Sequence, residues 1–265
     1  MRLITRVLTA MVLFGSLVFV PLAGQAGTRP ITSLHISAGV GLKDALFALQ
    51  KIYAQQQPSV ALEFNFAASG FLRKQIEQGA PVDMFLAPGQ QHVQALLDGG
   101  FTDSRHCCAL LGNDLVLIVA REKQYDIKGF SDLVEHAKSF TVGLPDMVPA
   151  GTYARQTLAS LGLWDQLEPR MVYGKSVRQV LAYVESGNAD AGMVFASDGS
   201  LLNSAVVAAV APPDSHASIV FSMAGMLASP HPRALREFMA FLQGEEAAGI
   251  FRRYGFTPLY PVPGQ

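Results

Sequence analysis

The sequence predicts an α/β fold of two lobes, each a mixed, mostly parallel sheet flanked by helices. Short apolar runs of strand length alternate with longer segments of helical apolar spacing along the chain, and this alternation is typical of parallel-rich sheets. Four strand-like runs break on small residues and then open a helix, at residues 37–41, 65–70, 147–151 and 173–177. Two junctions lie in each half of the chain, so we expect the pairs on opposite sides of a cleft.

The first half of the chain supplies four predicted strands and three predicted helices. The strands are 34–38, 60–66, 82–86 and 114–120, and the helices are 42–56, 71–78 and 90–97. The first helix carries apolar residues at helical spacing, namely Leu42, Ala45, Leu46, Leu49 and Tyr53. Pro58 follows the first helix, Gly79 the second and a glycine pair the third, and these residues commonly follow helix ends. The continuous apolar run at 114–120 is typical of a strand buried on both faces.

The second half continues the alternation. The predicted strands are 140–143, 191–195, 206–210 and 219–227, and the predicted helices are 131–137, 152–161, 177–186, 233–242 and 245–254. Ser131 is a candidate N-cap, since a serine oxygen can accept from the first free backbone N–H groups of a helix. The pair Gly187-Asn188 closes one helix, and Gln243-Gly244 separates the last two.

Two strands are candidates for the crossover between lobes. The run at 115–120 is predicted to carry the chain into the second lobe, and the run at 221–227 to carry it back. The resulting division assigns 27–112 plus 222–265 to lobe 1 and 113–221 to lobe 2.

The N-terminus has the three parts of a secretory signal peptide. Arg2 and Arg6 form a positive region, an apolar run covers 7–20, and small residues end at Ala26. We expect cleavage after residue 26 and a periplasmic protein. A lipoprotein anchor is not expected, because no cysteine stands at the cleavage site.

Composition argues against a nucleic-acid partner. The chain of 265 residues has 20 basic and 21 acidic side chains, a formal net charge of −1. It shows no basic run and no interleaving of aromatic and basic residues. An anion would therefore be bound locally. The free N–H groups and positive dipole end of a helix can do this without a basic side chain, and small residues let a ligand reach that backbone. The four junctions thus predict an oxyanion site.

Catalytic and metal-binding motifs are weak. Gly174-Lys175-Ser176 is similar to the end of a phosphate-binding P-loop, but that motif needs glycine where Pro169 stands. The chain has two cysteines, Cys107 and Cys108. Adjacent cysteines cannot join distant parts of a fold, and one such pair is poor zinc spacing. We interpret them as small apolar residues that lead into the next strand, and we predict no enzyme activity, metal ion or cofactor.

The chain resembles the molybdate-binding proteins of bacterial ABC transporters, which have the type II periplasmic binding fold. The resemblance covers about residues 31–258 and is sharpest at LRKQIEQGAPVDMF (72–85), VPAGTYA (148–154) and IFRRYGF (250–256). It implies a monomeric periplasmic receptor that holds molybdate or tungstate in the cleft through backbone N–H groups and neutral hydroxyls. It also implies that the receptor delivers this ligand to a membrane permease.

The resemblance implies five ligand-binding positions. Ser69 matches the family's second-loop serine, and Ala150 and Val177 match backbone donors at two later helix starts. Gly41 stands where the family usually has a first-loop serine, and Phe195 stands where it has a tyrosine that donates a hydroxyl. Each missing hydrogen bond to a charged group would cost about 1.5–3 kcal/mol.

The two departures leave alternatives open. Other hydroxyls could substitute, with Ser37, Ser176 and Thr152 as the nearest candidates. The ligand could instead be another oxyanion or a small organic anion that packs against Phe195. A third alternative is an exported sensing or interaction protein outside transport. Ser69 could also be an N-cap for its own helix, and Gly41 only a tight-turn residue.

Overall fold

The computed structural model describes residues 31–260. The predicted signal peptide, 1–26, lies outside the described residues, as do 27–30 and 261–265. Within 31–260, every helix is too short or too polar to cross a lipid bilayer.

The strands of the described region form two sheets. They are β1 Thr32–Gly39, β2 Val60–Ala67, β3 Met84–Pro88, β4 Cys107–Gly112, β5 Leu115–Ala120, β6 Phe140–Gly143, β7 Met171–Gly174, β8 Ala191–Phe195, β9 Ala205–Val210, β10 Val220–Gly225 and β11 Thr257–Pro258. The six-stranded sheet has the order β11-β4-β10-β3-β1-β2, and the five-stranded sheet the order β7-β6-β8-β5-β9.

Helices connect and flank these strands. They are α1 Lys43–Gln56, α2 Ser69–Glu77, α3 Gln90–Asp98, α4 Leu133–His136, α5 Pro149–Ser160, α6 Trp164–Leu167, α7 Val177–Glu185, α8 Ala196–Gly199, α9 Pro232–Leu242 and α10 Glu245–Arg253. A single 3₁₀ turn, Val40–Leu42, joins β1 to α1.

Both sheets are mixed, and their parallel pairs determine where helices begin. In the first sheet β1 pairs in parallel with β2 and β3, while β10 runs antiparallel to β3 and β4. In the second, β6 pairs in parallel with β7 and β8, while β5 runs antiparallel to β8 and β9. Parallel strands end at one edge of a sheet. The helices that follow β1 and β2 therefore begin at the same edge of the first sheet, and those that follow β6 and β7 begin at the same edge of the second.

The chain moves between the sheets twice. It passes from β4 to β5 between Gly112 and Leu115, and returns from β9 to β10 between Val210 and Val220. These are the crossings that the sequence indicated. The exact lobe boundaries, 27–112 plus 222–265 and 113–221, stay a prediction.

The core lies between the sheets and their helices. All six residues of β5 and all six of β10 are buried, which agrees with the continuous apolar run in β5. A second apolar cluster packs α2 and α3 against one face of the first sheet, and Leu72, Phe85 and Leu96 are fully buried there. The main core packs against the opposite face. Each such side chain contributes roughly 1.5–3 kcal/mol through burial.

Ser131 is not the N-cap that the sequence suggested. A 3₁₀ turn covers Phe130–Asp132, and the N-cap position of α4 is Asp132. The Asp132 carboxylate accepts from the backbone N–H groups of Lys128 at 2.8 Å and Gly129 at 3.1 Å. The first of these bonds is the main reason that the pKa of Asp132 is lowered. Ser131 Oγ donates to Asp132 Oδ1 at 3.2 Å, and α4 has no side-chain cap.

The cysteines belong to a strand of their own rather than to a lead-in. Cys107 and Cys108 open β4, which the sequence pattern missed because its first three residues are not buried. The predicted strand ranges also leave out β7, although the junction at 173–177 implied a strand that ends there; β7 is an edge strand that exposes Val172 and Tyr173. An edge strand needs no continuous apolar run, so periodicity gives little signal for it.

Candidate functional site

Four helix starts meet at one small cavity. Its lining residues are Gly39, Val40, Gly41, Ala67, Ala68, Ser69, Pro88, Val148, Pro149, Ala150, Val177, Phe195 and Phe221. All four small-residue junctions contribute, and all five residues proposed from the sequence are present. The cavity is small, with a volume of about 20 Å³, little more than the minimum that admits one water molecule.

The backbone at these junctions provides hydrogen-bond donors. Ser69 and Val177 are the first residues of α2 and α7, and Ala150 is the second residue of α5. Gly41 lies in the 3₁₀ turn that leads into α1. N–H groups in the first turn of a helix have no partner within that helix, and the helix dipole adds partial positive charge there. Pro149, the first residue of α5, occupies a position where its missing N–H costs nothing.

Ser69 adds a side-chain donor. The residue is 1% exposed, and its Oγ has no hydrogen-bond partner among residues 31–260. The N-cap of α2 is Ala68 rather than Ser69, so the alternative capping role is wrong. A buried hydroxyl without a partner is costly, and a ligand oxygen in the cavity would satisfy it.

The two sides of the cavity touch each other next to Ser69. Gly70 N–H donates to the carbonyl of Met147 at 3.0 Å. A Cβ at Gly70 would lie 2.8 Å from Met147 Cα, closer than backbone atoms allow. Residue 70 must therefore be glycine, because the loop before α5 packs directly on α2.

Gly41 is under no such constraint. It lies in the 3₁₀ turn without a positive φ angle, so the turn itself does not require glycine there. A Cβ there would meet its nearest atom, Asp198 Oδ2, at 3.5 Å, an ordinary contact distance.

Phe195 forms part of an apolar wall. It ends β8, is 2% exposed, and packs edge-on to Phe221 at 5.3 Å and Tyr153 at 6.3 Å between ring centroids. Pro88 and Phe221 complete this wall. Phe195 is thus both a core residue and a cavity residue, and it offers no hydroxyl.

The three hydroxyls suggested as substitutes do not line the cavity. Ser176 caps α7, where its Oγ accepts from Gln179 N–H at 3.2 Å. Thr152 Oγ1 accepts from Asp146 N–H at 3.2 Å. Ser37 lies inside β1, before the end of the strand where the cavity begins. Among the lining residues, Ser69 alone carries a side-chain hydroxyl.

No lining residue is charged, although cations lie nearby. Arg73 pairs with Glu77 at 3.0 Å, while Lys43 and Arg155 lie over aromatic rings. Arg178 pairs with Asp44 at 2.8 Å and Asp198 at 2.9 Å. The cavity would therefore hold an anion through dipoles and one hydroxyl.

Within residues 31–260, no group of three or more His, Cys, Asp or Glu side chains could hold a metal ion. The two cysteines are free thiols. Cys107 Sγ lies 3.4 Å from Thr102 Oγ1, and Cys108 Sγ accepts from Gln243 Nε2 at 3.1 Å. Burial raises the pKa of both thiols, which lowers their reactivity.

Three lining residues lie outside the four junctions, namely Pro88, Phe195 and Phe221. The family resemblance indicated Phe195, and the sequence analysis missed the other two. Pro88 ends β3 just before Gly89 and α3, so a fifth strand-to-helix junction could have indicated it. Phe221 lies on β10, opposite Pro88 in the antiparallel register. That pairing joins segments that are distant in sequence, so local sequence patterns do not predict it.

The chain is similar to known binding proteins over most of its length. The family described as bacterial extracellular solute-binding protein matches residues 34–257. The Bacillus subtilis protein YvgL, described as a proposed ABC transporter substrate-binding lipoprotein, is 37% identical over 85% of this chain and 86% of its own length. The molybdate-binding protein ModA of Haemophilus influenzae is 34% identical over 84% of this chain and 89% of its own.

A solved structure shows the same architecture. The substrate-binding domain of a proposed molybdenum ABC transporter from Clostridium difficile superposes with a TM-score of 0.68. It is 36% identical and covers 85% of this chain and 98% of the other. The two sheets with flanking helices are those of a type II periplasmic binding protein, which confirms the predicted fold class. The chain therefore belongs to the bacterial extracellular solute-binding proteins and is related to the ModA molybdate-binding proteins within them.

Proposed function

We propose that this protein captures a tetrahedral oxyanion, molybdate or tungstate, outside the cytoplasm and delivers it to an ABC transporter permease. The observation that carries the proposal is the convergence of four helix starts on an uncharged cavity containing the free hydroxyl of Ser69. The names of the relatives, two of which bind or transport molybdenum species, support the same ligand.

The proposed binding mode uses neutral donors. Ser69 Oγ and the backbone N–H groups of Gly41, Ala150 and Val177 would each donate to a ligand oxygen. Fixed donors in a buried site can stabilise an anion strongly, because hydrogen bonds to a charged acceptor are about twice as strong as neutral ones. We further propose that the protein is a periplasmic monomer without enzyme activity.

Closure of the cleft is the proposed link to transport. Donors come from both sheets, so all of them reach one ligand only when the two sides are close together. A ligand that contacts both sides favours the closed state by its difference in affinity for the two states. The permease would then recognise the closed, loaded receptor.

Isothermal titration calorimetry on the ligand-stripped chain tests the ligand. Molybdate and tungstate should each bind one to one, and sulfate and phosphate should give little heat. A folded protein that gives no heat with molybdate or tungstate would contradict the proposal.

A second ligand class has one observation in its favour. Pro88, Phe195 and Phe221 give the cavity an apolar wall, which suits a small organic anion better than a bare oxyanion. The same titrations with phosphonates and short carboxylates distinguish the two. Tighter binding of an organic anion than of molybdate would favour this second candidate.

A further inference from the structure

Arg178 connects the two sides of the cavity. It follows Val177 at the start of α7, on the second sheet's side. Its Nη2 lies 2.8 Å from Asp44 Oδ2 and 3.4 Å from the Gly41 carbonyl oxygen. Both acceptors belong to the segment after β1, on the first sheet's side.

The guanidinium is anchored on its own side by Asp198. Arg178 Nε lies 2.9 Å from Asp198 Oδ1, and the Asp198 side chain is fully buried. A buried carboxylate is costly without a partner. This anchor leaves the far end of the planar guanidinium directed at Asp44 and Gly41, so the side chain loses little further freedom when it spans the cleft.

The contact with Gly41 bears on ligand binding. Residue 41 has no side chain with which to hold the first loop in place, and a Cβ there would point towards Asp198. Arg178 Nη2 instead makes a long hydrogen bond, 3.4 Å, to the Gly41 carbonyl oxygen from across the cleft. Arg178 lies beside two donor positions, Gly41 and Val177, without itself lining the cavity.

We propose that Arg178 is a positioning residue that latches the closed cleft, anchored on Asp198, by pairing with Asp44 and holding the Gly41 loop at the ligand. This inference rests on the proposed oxyanion-binding function. It assigns Arg178 no direct contact with ligand.

Asp44→Asn is the sharpest test, because it weakens the bond across the cleft and leaves the pair between Arg178 and Asp198 intact. Asp44 is 40% exposed, so the variant should fold. Ion pairs of this exposure contribute up to about 1 kcal/mol, so molybdate affinity should fall roughly threefold to fivefold. Asp126→Asn is the matched control. It makes the same charge change at an exposed residue on the second sheet's side, and it should leave molybdate affinity unchanged.

Small-angle X-ray scattering provides a readout that a merely structural role would not change. With saturating molybdate, Asp44→Asn should retain a larger open fraction, and hence a larger radius of gyration, than wild type or Asp126→Asn. Arg178→Gln should weaken binding more than Asp44→Asn, and the double variant should bind no more weakly than Arg178→Gln alone. Additive losses in the double variant would overturn the latch.

Failure of the latch differs from failure of the proposed function. If wild type binds neither molybdate nor tungstate, the function is wrong. Scattering without ligand then still tests the latch, since Asp44→Asn should be more open than Asp126→Asn. If wild type binds molybdate and both Asp variants match it in affinity and scattering, the latch alone is wrong.

Discussion

The cavity and the ion-pair cluster beside it handle charge in opposite ways. The cavity has no charged lining residue and relies on helix starts and one serine hydroxyl. The neighbouring cluster places Arg178 within 3 Å of two carboxylates, those of Asp44 and Asp198. Full charges thus hold protein to protein, while partial charges face the ligand space.

The difference follows from what each region must do. A cation in the cavity would attract any anion, whereas fixed dipoles and hydroxyls favour oxygens at defined positions. An ion pair across a cleft has to form and break, and a partly exposed pair of modest strength allows that. Under the proposed function, specificity would lie with the uncharged region and closure with the charged one.

Ser69→Ala should have the largest effect on the uncharged side. It removes the single side-chain hydroxyl among the lining residues, and a hydrogen bond to a charged ligand contributes about 1.5–3 kcal/mol. Molybdate affinity measured by calorimetry should fall roughly 10- to 150-fold.

Ser37→Ala is the matched control for this variant. Ser37 Oγ is also buried without a hydrogen-bond partner in the described region, but Ser37 does not line the cavity. Equal affinity losses in the two variants would contradict the assignment of Ser69 as a ligand donor.

Phe195→Tyr should act in the opposite direction. The ring lines the cavity, so a hydroxyl on it adds a donor that this chain lacks. If molybdate is the ligand, affinity should rise about tenfold, less than a full charged hydrogen bond because the ring must adjust beside Phe221. Phe195→Leu, which adds no donor, is the control. Weaker molybdate binding by the tyrosine variant would favour an organic anion that needs the apolar wall.

Two buried groups that titrate, Asp198 of the charged cluster and His92 on α3, should make the free energy of unfolding depend on pH. Burial raises the pKa of Asp198 to about 6, although Arg178 opposes the shift. Between pH 4 and 6 the folded state then binds more protons than the unfolded state, so this residue makes stability fall as pH rises. Burial also lowers the pKa of His92 to about 4, with help from Arg73. From pH 4 to 6.5 that residue makes stability rise with pH.

These two opposing contributions can be separated by mutation. Denaturant unfolding from pH 4 to 6.5 should show a falling free energy of unfolding in His92→Gln and a rising one in Asp198→Asn. Each slope should be at most about 1.4 kcal/mol per pH unit, the limit for one proton. Parallel profiles for both variants would show that neither group titrates in this range.

Local patterns predicted the ligand side of this comparison better than the charged side. The four junctions were recognisable because small residues between a strand and a helix leave a local signature, and the family resemblance then indicated the individual positions Gly41, Ser69, Ala150 and Val177. Phe221 and Pro88 reach the cavity through antiparallel pairing of β10 with β3, which depends on distant segments. The contact of Arg178 with Asp44 likewise arises only when the two sheets approach, and a lone arginine near a helix start is usually solvated.

Gly41→Ser should have the smallest effect, and it tests the boundary between the two regions. The added Cβ would lie 3.5 Å from Asp198 Oδ2, so the new hydroxyl can reach either the ligand or that carboxylate. We expect it to donate to Asp198, because the carboxylate is fully buried and its nearby cation is already shared with Asp44. Molybdate affinity should then change less than about threefold, below the effect of one charged hydrogen bond.

Gly41→Ala separates the effect of the hydroxyl from the effect of the added Cβ, because alanine adds only the Cβ. If serine and alanine give equal affinity but serine alone raises the free energy of unfolding, the hydroxyl belongs to the charged cluster. A gain of tenfold or more with serine alone would instead assign it to the ligand. Glycine at position 41 would then deprive this chain of a ligand donor. The bond from Arg178 to the Gly41 carbonyl oxygen would not compensate for that loss.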